Sequence, residues 1–133
     1  MKTVYYAHPM STYDTQTEIG DMAALQSRFE TVINPNTQAF QQAAQRQKMA
    51  GLSPMQPFLD AIHSADAVAY RPFPNGKIGA GIANEVLEGI IFGKVVLQLP
   101  DLLPKKFDMN DILSIEATRE ANKFFGMSET EPA

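Results

Sequence analysis

Cysteine is absent from the 133 residues. Without it there are no disulfides, thiolate zinc sites, iron–sulfur clusters or thiol nucleophiles, a composition that fits a reducing compartment. An excess of positive charge is also absent. Eleven Lys+Arg against fifteen Asp+Glu give a formal charge of -4, with a pI near 5.1. A nucleic-acid polymer as partner calls for the opposite balance. No apolar run reaches the ~18 residues of a membrane helix. The longest, Val86 to Pro100, is broken by Glu88 and Lys94. The chain begins Met1-Lys2-Thr3 and passes straight into a strand-like run, which is not a signal-peptide pattern. The expectation is a cytoplasmic protein that neither enters nor binds a membrane. Two isolated histidines and scattered acids form no metal-ligand pattern, and nothing implies a cofactor.

Hydrophobic residues make up 44% of the chain and charged ones 20%, with a mean hydropathy of -0.19. That is enough for one core without covalent staples. Thr3-Val4-Tyr5-Tyr6-Ala7 reads as a buried first strand, stopped by His8-Pro9. Thr15 with Glu18 three residues on has the form of a capping box. Ile19, Met22, Leu25 and Phe29 then predict an amphipathic helix over 16–30. Strands are expected at 31–33, 66–70 and 95–99, the last buried on both faces. Helices are expected at 37–50 (or a partly mobile lid there), at 54–64 behind a Ser53-Pro54 start, at 80–92 ending on Gly93, and within 112–125 behind Ser114. Alternating strands and helices give an α/β fold: a three-layer, doubly wound parallel sheet of four or five strands, flavodoxin/Rossmann-like. One domain spans 1–126 and a flexible tail 127–133.

Such sheets bind ligands at the carboxyl ends of their strands. Three segments therefore converge: the loop from His8 after strand one, the loop from Arg71 to Gly81 after strand three, and the helix carrying Glu85. Gly79-Ala80-Gly81 is a glycine-rich turn feeding a helix. It suits backbone binding of an anion, or simply a tight strand-to-helix connection. It is neither the dinucleotide fingerprint, since Asn84 stands at the third glycine position, nor a Walker loop. Glu85 is expected in the first helical turn, where the helix dipole favours its anion. A carboxylate facing a crevice suits nucleophilic attack on a sugar carbon.

Gly81, Glu85, Gly93 and Lys94, with the opening Lys2–Ala7 strand, resemble the nucleoside 2-deoxyribosyltransferase-like family, which includes deoxynucleoside 5′-monophosphate N-glycosidases. Gly81-x-x-x-Glu85, the eight-residue step to Gly93, and the run through Val95 to Asp101 carry the likeness across most of residues 2–101. Asp66 stands at the start of the preceding strand as the family pattern has it. The resemblance implies an enzyme that cleaves the N-glycosidic bond of a (deoxy)nucleoside or its 5′-monophosphate, by hydrolysis or base exchange. Glu85 would be the nucleophile at C1′ and Tyr5 would orient it. One departure is clear: where many relatives carry an Asp that helps protonate the leaving base, this chain has Gly79. Arg71 and Lys77 are expected to meet a 5′-phosphate. His8 is placed to bind phosphate or act as a general acid, or to serve structurally before Pro9. Met10, Met55 and Phe58 are candidates for a base pocket as well as for core.

The family pattern also implies a homo-oligomer. Asn110, Thr118 and Arg119 are candidates, none singled out, for reaching the pocket from a partner chain. Three other readings stay open. Gly79-x-Gly81-x-x-x-Glu85 also looks like the signature of lysine-decarboxylase-like phosphoribohydrolases, although Ile82 replaces their Thr. A non-catalytic nucleotide sensor would use the same turns and basic residues. A signalling receiver expects an acidic cluster after strand one, and Ala7-His8-Pro9 argues against it.

Overall fold

The computed structural model describes residues 2–104 and 108–130, with side chains through 126. Five strands form one sheet in the order β2-β1-β3-β4-β5: β1 (Thr3–Ala7), β2 (Thr31–Ile33), β3 (Ala67–Tyr70), β4 (Val95–Gln98) and β5 (Leu103–Pro104). The pairs β1–β2, β1–β3 and β3–β4 are parallel, with Tyr5 opposite Ile33 on one side and Val68 on the other. The sheet is mixed rather than wholly parallel, because β5 turns back antiparallel to β4. Two residues with a proline leave little apolar pattern, so β5 has no strand signal in the sequence.

Alternation of side chains along β1 and β3 creates two cores. Tyr5, Ala7, Val68 and Tyr70 pack with Ile62 of α3 (Gln56–Ser64) and with Ile82 and Val86 of α4 (Ala80–Ile91). Val4, Tyr6, Ala67 and Ala69 pack with Leu25 of α1 (Gln16–Gln26). Helices thus cover both faces, which gives three layers. Helix α2 (Gln38–Met49) buries none of its residues and leans on α3 through stacked Phe40 and Phe58 rings, 5.4 Å apart. Gly89 lets α4 lie close to the sheet: a Cβ there would sit 2.9 Å from Val68 Cγ2.

Several expectations are corrected. Helix α1 stops at Gln26, not 30, because a turn sends Arg28 N–H and Phe29 N–H back to the Leu25 carbonyl and tucks Phe29 into the core. Its inward face carries Glu18 and Asp21, while Ile19 is 61% exposed. Ser53 does not cap α3; its Oγ accepts the Met55 N–H in the turn before the helix. Strand β4 is not buried on both faces: Val95 is exposed, since β5 pairs only with Leu97 and Gln98. Ser114 does cap α5 (Ile115–Thr130), accepting the Ala117 N–H. Helical backbone therefore continues through residues 127–130 of the expected tail, and 131–133 lie outside the described residues. Among the described residues no helix is long and apolar enough to cross a membrane.

Candidate active site

The strand order reverses direction between β1 and β3, and the crevice at that switch point is where α/β sheets take ligands. A cavity of about 320 Å³ opens there. It is lined by the loop after β1, the start of α4, one wall of α3 and one face of α5. Of the expected residues, Glu85, His8, Pro9, Met10, Gly79 and Gly81 meet at this cavity, with Met55 and Phe58 as apolar wall.

Glu85 is the sixth residue of α4, past the first turn in which it was expected, and its residue is 8% exposed. The Tyr5 hydroxyl, fully buried behind it, donates a hydrogen bond to Oε2. Parallel pairing fixes Tyr5 between Ile33 and Val68 and aims its ring at α4. Burial pushes the Glu85 carboxyl up to about 7, against the Tyr5 hydrogen bond, which pulls it down. The dipole preference for the anion, expected for a first-turn position, does not reach the sixth residue of the helix. At neutral pH carboxyl and carboxylate coexist. Burial, then the Glu85 charge, raises the Tyr5 phenol far above its ordinary value, so it stays a donor.

Tyr6, one residue on, faces the opposite core, and its hydroxyl donates to Asp21. Arg71 completes that cluster, its Nε 2.6 Å from Asp21 Oδ2 and its terminal nitrogen 2.7 Å from Oδ1. This bidentate pair lies on the α1 side, and Arg71 does not line the cavity. Lys77 also stays outside it, with Nζ 3.5 Å from Asp111. Asp66 sits at the far end of the sheet, accepting the Lys2 and Thr3 N–H groups.

His8 presents its ring to the cavity, but both nitrogens are engaged. Nδ1 lies 3.1 Å from the Tyr6 carbonyl and Nε2 2.7 Å from Glu18 Oε2. A carbonyl only accepts, so Nδ1 carries a proton, and a second proton lies between Nε2 and Glu18. Burial lowers the His8 pKa, against the Glu18 carboxylate and the Tyr6 carbonyl. Its ring stacks on Tyr6 at 3.7 Å. The geometry leaves His8 no free nitrogen for phosphate or acid catalysis; it anchors the loop.

Four lining residues come from α5 of the same chain: Ile115, Thr118, Arg119 and Asn122. Thr118 Oγ1 accepts the Ala80 N–H at 2.9 Å, and Asn122 Oδ1 accepts the Ser11 N–H at 3.0 Å. The helix thus ties the two loops of the site together. Thr118 and Arg119 reach the pocket within one chain rather than from a partner, and Asn110 does not line it. Among the described residues Arg119 is the one arginine or lysine that lines the cavity. The N–H groups of Gly81 and Ile82 have no hydrogen-bond partner among the described residues, since Ala80 is taken by Thr118 and Ala83 by the Gly79 carbonyl. A Cβ at Gly81 would meet open space, so this glycine leaves room at the helix start. Tyr13, absent from the expected set, also lines the cavity, and its position in a loop after β1 was the available signal. Among the described residues no group of three or more His, Cys, Asp or Glu is arranged to hold a metal ion. No protein-family model matches the chain, and no curated protein is significantly similar to it.

Proposed function

We propose that this protein cleaves the N-glycosidic bond of a (deoxy)nucleoside 5′-monophosphate, by hydrolysis or base exchange, with Glu85 as nucleophile. The observation that carries the reading is the Tyr5–Glu85 pair at a cavity on the switch point of the sheet. Glu85, as carboxylate, attacks C1′ and the base departs with the bonding electron pair. Water or a second base then displaces the glycosyl ester and returns the carboxylate. The Tyr5 hydroxyl orients the carboxylate and favours its ionised form. The phosphate fits the start of α4, where two N–H groups have no partner among the described residues, beside Arg119 rather than Arg71 or Lys77. The apolar walls at Met55 and Phe58 suit a flat base.

We propose a flavodoxin-like winding as the finer reading of the fold; the order β2-β1-β3-β4, with β5 appended, supports it. A homo-oligomer belongs to the same reading. Ile90, Ile91, Phe92 and Val95 form an exposed apolar strip from the end of α4 into β4, suited to a second copy. Light scattering at micromolar concentration is expected to show at least a dimer, and a monomer overturns that part.

Base release from a panel of nucleoside 5′-monophosphates, followed by chromatography, tests the activity. Glu85→Gln is expected to lower it by at least ~10³-fold, roughly 4 kcal/mol of barrier, with nucleotide binding retained. Full activity in that variant overturns the nucleophile. A wild type that binds nucleotides and releases no base points to the sensor, which the partly neutral Glu85 carboxyl also suits.

A further inference from the structure

We infer that Tyr13 is the hydrogen-bond donor to the departing base; the inference rests on the glycosidic reading above. The chain has four tyrosines. Three spend their hydroxyls on the protein: Tyr5 on Glu85, Tyr6 on Asp21 and Tyr70 on Gln98. The Tyr13 hydroxyl has no hydrogen-bond partner among the described residues. It is not a buried orphan either, because no buried side-chain polar atom there lacks a partner. Tyr13 lines the same cavity as Glu85.

Its ring, by contrast, is held. Tyr13 closes the short 3-10 turn of Met10–Thr12, its N–H bonded to the Met10 carbonyl at 3.1 Å. The ring lies 4.7 Å from that of His8, tilted by 45°. His8 is fixed in turn by Glu18 and the Tyr6 carbonyl. A fixed ring with an uncommitted hydroxyl is a preorganised donor. Burial, then the charges of Glu85 and Glu18, holds the phenol above its ordinary value. It therefore keeps its proton at any working pH.

The chemistry requires such a group. As the Glu85 oxygen bonds to C1′, the C1′–N bond breaks and its electron pair moves onto the base. A neutral base then carries developing negative charge in a largely apolar pocket. Tyr13 O–H donates to an acceptor atom of that base and keeps its proton. The water that later hydrolyses the ester gives its hydroxyl to C1′ and its proton to the base, and Glu85 returns as carboxylate. Arg119 and Asn122, the other donors on the wall, sit on α5 beside the helix start where the phosphate fits.

The test compares wild type with Tyr13→Phe on two substrates sharing one ribose 5′-phosphate. One carries a purine; the other carries a pyridinium base, which leaves as a neutral molecule and develops no negative charge. The variant keeps the ring and loses a hydroxyl that bonds to no group among the described residues, so its unfolding temperature is expected to stay unchanged. Its turnover number on the purine substrate is expected to fall about 10²-fold, with the pyridinium substrate within about twofold of wild type. Equal losses on both substrates, or no loss on either, overturn the role of Tyr13 while leaving Glu85 in place. A wild type silent on both substrates, and on the same pair built on 2′-deoxyribose 5′-phosphate, overturns the glycosidic reading and this role with it.

Discussion

Burial makes Glu85 an expensive residue to ionise, and that cost is measurable without a substrate. Its carboxyl moves from an ordinary value of 4.5 to about 7 on folding. Between those values the folded protein holds a proton that the unfolded chain has released. The associated stability is complete below 4.5 and is lost as pH rises through about 7. The shift corresponds to roughly 3 kcal/mol. Glu85→Gln is therefore expected to be more stable than wild type at pH 8 by up to about 3 kcal/mol, and equal to it near pH 4. Urea unfolding at the two pH values checks this, and a pH-independent difference contradicts it. Tyr5→Phe removes the one hydrogen bond that lowers the carboxyl. It should move the Glu85 titration upward, and with it the rising limb of any activity that needs the carboxylate; carboxyl NMR reads the first directly. Glu85 was legible as a candidate from a glycine-led helix start after a strand, whereas its pairing with Tyr5 was expected only from the family resemblance. The place of Arg71 was not legible, because its partner Asp21 lies fifty residues away in sequence.

Helix α1 shows why the partner was hidden. Its apolar spacing suggests Ile19 as a core residue, yet the helix turns Glu18 and Asp21 inward. Those acids are tolerated because each is answered: Glu18 by His8 and Asn36, Asp21 by Tyr6 and Arg71. Periodicity weighs side chains by hydrophobicity and cannot register an acid whose burial is compensated from another strand. The Arg71–Asp21 pair is thus a clamp between the β3 loop and α1. Its side chains are 21% and 5% exposed. Removing one member strands the other, at a cost of about 3 kcal/mol, the lower end for buried pairs. Asp21→Ala and Arg71→Ala are each expected to lower the urea midpoint by a corresponding amount while leaving KM for a nucleotide unchanged. A raised KM for Arg71→Ala with undiminished stability would return that arginine to the binding site.

On the scale of the whole molecule, alternating elements made the layered sheet and its ligand edge legible, but not the place where α5 docks. Ser114 announces that a helix begins; nothing in its residues says that it crosses the mouth of the site. That is decided by Thr118 meeting the Ala80 N–H and Asn122 meeting the Ser11 N–H, contacts over long sequence separations. A ligand bound between α4 and Arg119 therefore ties the last helix to the sheet, and its binding free energy adds to the stability of the folded chain. At a hundred times its Kd a ligand contributes about 2.7 kcal/mol, roughly 10 °C in unfolding temperature for a domain of this size. The Glu85→Gln background keeps the ligand intact during heating. There, a nucleoside 5′-monophosphate should raise the unfolding temperature far more than its nucleoside at equal concentration. Adding Arg119→Ala should weaken nucleotide binding by about tenfold or more, the scale of a charge-assisted contact of at least ~1.4 kcal/mol. The small shift given by the nucleoside should not change. If nucleotide and nucleoside stabilise the Glu85→Gln protein equally, the phosphate is not held in this cavity, and Arg119 is only a solvated residue on the face of α5.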